Sequence, residues 1–260
     1  MDSSENLFLS HIRLACIVAF LLVLLVACGD RERNTGWTSG VQNGTYLAIS
    51  EHTQEDGIAP YLRLTVKEER IIDAEFSAVD EGGSIRRNYE MRFCAAHLLN
   101  NNAPPEVTGE VLTDWCIALA NSLVQRGRSG DERPALVPIG GTYIAESEVD
   151  DDGWYARIEI TYERQTLRDV VYEEYRVLES GEKSPKRDYN DLFEEWEREA
   201  DLELDFVYNR LGEQLRHEGL PSGVDVISGA TITSQRFRNL ARVALNKRQP
   251  VDFLPIFNSR

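Results

Sequence analysis

An internal duplication constrains the fold of this 260-residue chain more than any other feature. A segment that begins Gly44-Thr45-Tyr46 matches one that begins Gly141-Thr142-Tyr143, and an acidic turn that ends in glycine follows each of them. Residues 61–66 and 155–160, which we align, alternate apolar and polar side chains and are therefore predicted to form half-buried strands. The same order of landmarks in both halves indicates two tandem repeats.

Each repeat continues with a second predicted strand, a helical stretch, a glycine-containing turn and a last helix. This order predicts an α+β fold with two repeats, each a small antiparallel sheet packed with helices. We place the repeats at residues 41–125 and 139–250. Residues 126–138, which are rich in glycine, proline and charge, are the predicted linker, and residues 251–260 are a C-terminal tail.

The turn of the second repeat, at residues 225–234, combines small residues with hydroxyls just before an amphipathic helical pattern. Thr233 or Ser234 is the predicted N-cap of that helix. A helix N-terminus attracts phosphate through its unpaired N–H groups and its dipole, and we expect the N–H groups of residues 232–235 to face such a group. The alternative is a turn rich in serine and threonine that only caps the helix.

The sequence Asp225-x-x-Ser228-Gly229-Ala230-Thr231 resembles the flavinylation motif of the FMN-binding domain family. Members include flavin subunits of the sodium-pumping NADH:quinone reductase and Rnf complexes, and flavin lipoproteins of extracellular electron transfer. The resemblance implies that a dedicated FMN transferase attaches FMN covalently, through a phosphoester, to Thr231. The motif residues around that threonine are Asp225, Ser228, Gly229 and Ala230, and Thr233 and Ser234 match the hydroxyl pair that follows.

The first repeat departs from this motif. Pro105 stands at the aspartate position, Glu110 at the alanine and Val111 at the threonine. Valine has no hydroxyl for a phosphoester and Glu110 would repel phosphate. We therefore expect the first repeat to carry no flavin and to act as a spacer or docking domain.

Aromatic side chains of the second repeat are candidates for contact with the flavin ring, although core packing is the alternative for each. They are Trp154, Tyr155, Tyr172, Tyr175, Tyr189 and Trp196. Lys186 and Arg187 could balance the charge of the phosphate or of the reduced flavin, or could be plain surface residues.

The N-terminus predicts export. Residues 14–27 form an uncharged apolar run that suits a signal peptide and is short for a membrane span. The sequence Leu25-Val26-Ala27-Cys28 resembles a bacterial lipobox, which implies a signal peptide at residues 1–27, a lipidated Cys28 and a tether at residues 28–40. The predicted location is the bacterial cell envelope, facing the periplasm or the exterior. The alternative is an uncleaved anchor.

The net charge and the cysteines limit which binding functions and cross-links the chain can have. A net charge of −16 argues against nucleic-acid binding, which needs a basic surface. Cys94 and Cys116 are predicted to form a disulfide in the exported part, with a reactive dithiol as the alternative. No histidine or cysteine cluster has the spacing of metal ligands.

The leading hypothesis is an exported, membrane-anchored electron-transfer flavoprotein. It would take electrons from a membrane redox protein or quinol and pass them to an extracytoplasmic acceptor. No catalytic constellation or NAD(P)H motif is evident, which favours a carrier over an enzyme. The alternatives are a flavin-dependent reductase subunit and a cofactor-free lipoprotein that binds other proteins.

Overall fold

The computed structural model describes residues 36–178, 180–189 and 202–251. The predicted signal peptide, the lipidation site at Cys28 and most of the tether lie outside these residues, as do Trp196 and nearly all of the C-terminal tail. Within the described ranges, no helix combines the length and apolar character needed to cross a membrane.

The first unit is a five-stranded sheet with two helices on one face. Its elements are β1 (Gly44–Ser50), β2 (Ile58–Lys67), β3 (Arg70–Asp80), β4 (Ile85–Arg86), α1 (Tyr89–Asn101), α2 (Val111–Arg128) and β5 (Ala135–Val137). The strand order is β4-β3-β2-β1-β5, and all pairs are antiparallel except β1 with β5. α1 packs on β3, and α2 packs on β1 and β2, so the core lies between the helices and one face of the sheet.

The second unit repeats this arrangement with four strands in the order β6-β7-β8-β9. Its elements are β6 (Gly141–Glu146), β7 (Trp154–Glu163), β8 (Thr166–Val177), β9 (Lys183–Pro185), α3 (Leu204–Glu218) and α4 (Thr231–Asn246). α3 packs on β8, and α4 packs on β7 and β6, as α1 and α2 do in the first unit. The α+β fold predicted from the sequence is confirmed, and the two units are compatible with tandem repeats.

Local sequence explains where the elements end. Asn88 caps α1 by accepting a hydrogen bond from the Met91 N–H at 2.8 Å. Asn102 ends α1 and Gly219 ends α3, each in the left-handed conformation that closes a helix. The acidic turns before β2 and β7 place Gly57 and Gly153 at φ 74° and 82°, which glycine adopts without strain.

The two sheets show the duplication in their pairing, and they correct our alignment of the strands. A hydroxyl–hydroxyl contact joins Thr45 to Thr65 at 3.2 Å, and the same contact joins Thr142 to Thr161 at 3.0 Å. A bulge follows directly, after Thr65 in one sheet and after Thr161 in the other. Residue 65 therefore corresponds to residue 161, two positions away from the alignment of residues 61–66 with 155–160. A shift of two residues keeps every side chain on the same face, which is why periodicity alone could not reveal it.

The segment predicted as a linker contributes to the first sheet. α2 continues through Arg128, and β5 pairs in parallel with β1, with Ala48 opposite Ala135. The end of the second unit then returns to the first. Thr53 donates its N–H to the Gln249 carbonyl at 2.9 Å, and Val251 donates its N–H to the Glu51 carbonyl at 3.0 Å.

Cys94 of α1 and Cys116 of α2 lie side by side in the first core, within hydrogen-bonding reach of each other. The structure holds both as buried free thiols, and the disulfide between them stays a prediction.

Candidate functional site

The turn between α3 and α4 is built to start a helix at Thr231. The Ala230 N–H donates to the Ile227 carbonyl at 3.0 Å, and Gly229 lies at φ 86°, in the left-handed region that favours glycine. α4 begins at Thr231, with Ala230 as its N-cap residue. The predicted N-cap at Thr233 or Ser234 is therefore wrong, because the helix starts before either of them.

Ser234 acts inside the first turn of α4 instead. Its fully buried Oγ donates to the Ala230 carbonyl at 2.8 Å and accepts from the Ile227 N–H at 3.1 Å. The hydroxyl thus ties the turn to the helix that follows it.

The donors at the helix start also differ from the expectation of residues 232–235. The Ser234 N–H bonds to the Ala230 carbonyl at 2.9 Å, which is the first bond of the α-helical ladder. The N–H groups that precede this bond are those of residues 231–233. They point out of the end of a 16-residue helix, where its dipole is positive. Thr231 itself is exposed, so its hydroxyl is open to chemistry.

A pocket of about 390 Å³ opens beside Thr231. Its walls come from the start of β7, the end of β8, the segment after β9 and the start of α4. They are formed by Asp150, Trp154, Glu174, Lys186, Leu204, Gly229, Ala230, Thr231, Ile232, Thr233 and Arg236. Ile232 is 75% exposed, so the pocket has an apolar residue at its open edge.

A buried carboxylate organises the polar wall of this pocket. Glu174 is 1% exposed, and its Oε2 lies 2.5 Å from the Lys186 Nζ. Its Oε1 accepts from the Tyr172 hydroxyl at 2.9 Å and lies 3.6 Å from an Arg236 guanidinium nitrogen. Arg236 also contacts Asp150 at 3.1 Å, so it joins the helix to the turn before β7. We call Glu174, Lys186, Arg236 and Tyr172 the Glu174 cluster.

The tyrosine of this cluster remains a hydrogen-bond donor. Burial raises the pKa of Tyr172, and the neighbouring Glu174 carboxylate raises it further. The hydroxyl is therefore protonated at any physiological pH and donates its hydrogen bond to Glu174.

Trp154 forms the aromatic wall. Its ring meets the Tyr189 ring edge to face, with 5.4 Å between centroids. The Lys186 ammonium and the Arg176 guanidinium each lie 5.7 Å from the Trp154 ring centroid, within the range of a cation–π contact. The indole is thus held from several sides while it lines the pocket.

The other predicted site residues lie in three places. Asp225 and Ser228 are exposed in the turn, outside the pocket wall, and the Asp225 N–H donates to the Gln214 side chain at 2.6 Å. Tyr155 and Tyr175 stack on one another at 5.3 Å, away from the pocket. Arg187 pairs with Glu173 and Asp205 rather than lining the pocket.

Sequence reasoning missed Glu174, Arg236 and Asp150. Glu173 and Glu174 are consecutive on a predicted strand, where neighbouring side chains point to opposite faces. One of the two carboxylates therefore had to face the helices, and that pattern could have identified it. Arg236 gave no comparable sign, because a single arginine on a helix is more often at the surface.

The first unit lacks the cluster at corresponding positions. Counted from the shared bulge, Phe76 replaces Tyr172 and Ala78 replaces Glu174. Both replacements are buried and apolar. In the first sheet Ala78 lies opposite Arg86 on the neighbouring strand, whereas in the second unit Glu174 forms an ion pair with Lys186.

The first unit also lacks the hydroxyl. The two units can be aligned here in two ways: on Gly109 and Gly229, which both lie at positive φ, or on the buried faces of α2 and α4. The two alignments differ by one residue. Thr231 corresponds to Val111 when counted from the glycine and to Glu110 when counted along the helix face. Neither side chain can form a phosphoester.

Among the described residues, no group of histidine, cysteine and carboxylate side chains is arranged to hold a metal ion. The chemistry available at the pocket is that of a hydroxyl, a helix N-terminus, two cations with the two carboxylates that pair with them, and an indole.

Three known families or proteins are similar to parts of this chain. The family model of the FMN-binding domain matches residues 144–246. The 15 kDa lipoprotein of Treponema pallidum is 33% identical over 106 residues, which are 40% of this chain and 72% of that protein. A crystal structure of the CPE2226 protein from Clostridium perfringens is 26% identical, with a TM-score of 0.38, over 42% of this chain and 86% of that chain.

Proposed function

Because the chain belongs to the FMN-binding domain family, we propose that it is an exported, membrane-anchored electron-transfer flavoprotein that carries FMN on Thr231. The linkage is a phosphoester between the FMN phosphate and the threonine hydroxyl, formed by an FMN transferase. The observation that carries the proposal is the exposed Thr231 at the start of α4, beside a pocket walled by two cations and an indole.

The residues present fit a phosphate at Thr231. The N–H groups of residues 231–233 precede the first intrahelical bond of α4, and a helix N-terminus favours an anion. Gly229 has no side chain to obstruct close approach to the turn. Arg236 and Lys186 supply positive charge in the wall of the same pocket.

The residues also fit a planar ring. A volume of about 390 Å³ lies in the range of small-molecule sites. Trp154 offers a flat apolar surface, and Leu204 and Ile232 extend that surface. When bound, FMN supplies the redox chemistry, while the protein supplies attachment, orientation and electrostatics.

Export and anchoring are supported by the N-terminal sequence. The apolar run of residues 14–27 precedes a cysteine in a lipobox-like context, and the relative from Treponema pallidum is itself named a lipoprotein. A covalent link suits this location, because a cofactor that dissociates outside the cytoplasm is lost. We place the protein in the cell envelope, between a membrane redox donor or quinol and an extracytoplasmic acceptor.

The intact mass of the protein tests the linkage. Co-expression with an FMN transferase should add one FMN, less one water, to the wild-type chain. Thr231→Ala should abolish the adduct, whereas Ser222→Ala, which removes an exposed hydroxyl nearby, should keep it. An adduct that survives Thr231→Ala, or a wild-type protein without FMN, would contradict the proposal.

A further inference from the structure

The Glu174 cluster places a full negative charge and two positive charges inside the pocket wall. Glu174 is almost entirely buried, while the side chains of Lys186 and Arg236 are 17% and 25% exposed. Among the described residues that line the pocket, Asp150, at 38% exposure, is the fourth charged group, and it contacts Arg236. Both cations are thus held at the pocket by carboxylates and are partly shielded from solvent.

The fold does not need this cluster. The first unit builds the same sheet-and-helix arrangement with Phe76 and Ala78 where the second unit has Tyr172 and Glu174. Buried ion pairs add little stability compared with well-packed apolar residues, because both charges lose their hydration. A buried cluster that occupies these positions in only one of the two related units is therefore better explained by the site it lines. That unit is also the one with Thr231.

We propose that the Glu174 cluster sets the reduction potential of the flavin at Thr231, with Lys186 and Arg236 raising the potential and Glu174 holding them in place. This inference rests on the proposed function. The argument is one of charge. Transfer of two electrons and one proton from a quinol or a reduced redox protein adds one negative charge to the pocket, and the second proton of a quinol passes to solvent. A fixed cation near that charge favours the reduced state.

Glu174 has the opposite electrostatic sign and a distinct role. It is a positioning residue, since its two oxygens meet Lys186 on one side and Arg236 and Tyr172 on the other. Its own charge disfavours reduction, so its removal should move the potential in the direction opposite to the removal of either cation.

Spectroelectrochemical titration of the flavinylated protein tests the inference. Lys186→Met and Arg236→Gln should each shift the midpoint potential to a more negative value, by at least the equivalent of a tenfold change in the equilibrium, about 30 mV for a two-electron couple. Glu174→Gln should shift it to a more positive value. Arg238→Gln is the matched control, because it removes an arginine from the same helix outside the pocket wall.

The outcomes are separable. An adduct missing from the wild-type protein overturns the proposed function, and this inference falls with it. This inference alone is overturned if the wild-type protein carries FMN but Lys186→Met and Arg236→Gln shift the midpoint potential no more than Arg238→Gln does. A shift of Glu174→Gln in the same direction as Lys186→Met would contradict the effect assigned to the Glu174 charge, because loss of that charge by itself favours the reduced flavin.

Discussion

At the scale of single residues, Ser234 decides how Thr231 is presented. Its buried hydroxyl bridges the Ile227 N–H and the Ala230 carbonyl across the turn. Ser234→Ala leaves the partly buried Ile227 N–H without its acceptor, whereas the Ala230 carbonyl keeps its bond from the Ser234 N–H. We expect a loss of about 1–3 kcal/mol in the free energy of unfolding, measured by urea titration.

The same variant should also reduce the yield of FMN attachment, because the turn that carries Thr231 loses its brace. Ser222→Ala, in the exposed stretch before the turn, should change the free energy of unfolding by less than about 0.5 kcal/mol. If Ser234→Ala were as stable as Ser222→Ala, the bracing role of the hydroxyl would be wrong.

Sequence reasoning singled out Thr231, the proposed attachment residue, but not its surroundings. Thr231 could be found because residues 225–231 resemble the flavinylation motif, and Gly229 and Ala230 because small residues just before a helical pattern indicate a turn. Arg236 and Asp150 could not, because their contact joins residues 86 positions apart. Such a contact depends on how the helix lies on the sheet, which local patterns do not specify.

At the scale of elements, α1 and α2 meet at a pair of buried cysteines. Cys94 and Cys116 are adjacent in the core, and oxidation between them would close a loop of about 20 residues. The chain-entropy model then gives a stabilisation of about 3 kcal/mol. We expect protein prepared under oxidising conditions to unfold at higher urea concentration than the same protein treated with dithiothreitol.

The double variant Cys94→Ala, Cys116→Ala provides the control for that comparison, since its stability should not respond to dithiothreitol. Alkylation of the unfolded exported protein, without prior reduction, tests for a reduced pair directly. Two modified thiols would show that the pair is reduced in the exported chain.

Element order was predictable and element pairing was less so. Alternation along β2 and β7 predicts half-buried strands, and the glycine of each acidic turn predicts the hairpin. The register between strands depends on a bulge after Thr65 and Thr161. The three-residue strand β5 has too short a pattern to separate it from a linker, and its parallel pairing with β1 comes from the tertiary fold.

At the scale of the whole molecule, two related tyrosines do different work. The Tyr46 hydroxyl donates to the Gln42 carbonyl within the first unit at 2.9 Å, whereas the Tyr143 hydroxyl donates to the Thr53 carbonyl of the other unit at 3.0 Å. Replacing either by phenylalanine should cost about 1 kcal/mol of stability.

Only Tyr143→Phe should loosen the contact between the units. Faster hydrogen exchange at the N–H groups of Thr53 and Val251, which bond across the contact, is the expected sign. Equal exchange rates at these groups in Tyr143→Phe and Tyr46→Phe would show that the hydroxyl does not hold the units together.

The same contact makes stability depend on pH. Burial lowers the pKa of His52 below its ordinary value of 6.5, Arg248 lowers it further, and Glu51 opposes them. The unfolded chain therefore takes up the proton at a higher pH than the folded chain does. Stability from this group is present above pH 6.5 and is lost as the pH falls through the folded value.

Urea titrations between pH 7.5 and pH 5.5 measure this dependence. As the pH is lowered, the free energy of unfolding should decrease more steeply in the wild-type protein than in His52→Asn. Parallel slopes in the two proteins would rule out a contribution from His52.

The central claim is that one hydroxyl, that of Thr231, carries the flavin. Trypsin cuts after Arg216 and Arg236, so residues 217–236 form one peptide that contains Thr231, Thr233 and Ser234. Fragmentation of this peptide, from protein co-expressed with an FMN transferase, should place FMN on Thr231. FMN on Ser222, Ser228, Thr233 or Ser234 of this peptide, FMN on any other peptide, or a protein without FMN would contradict the account.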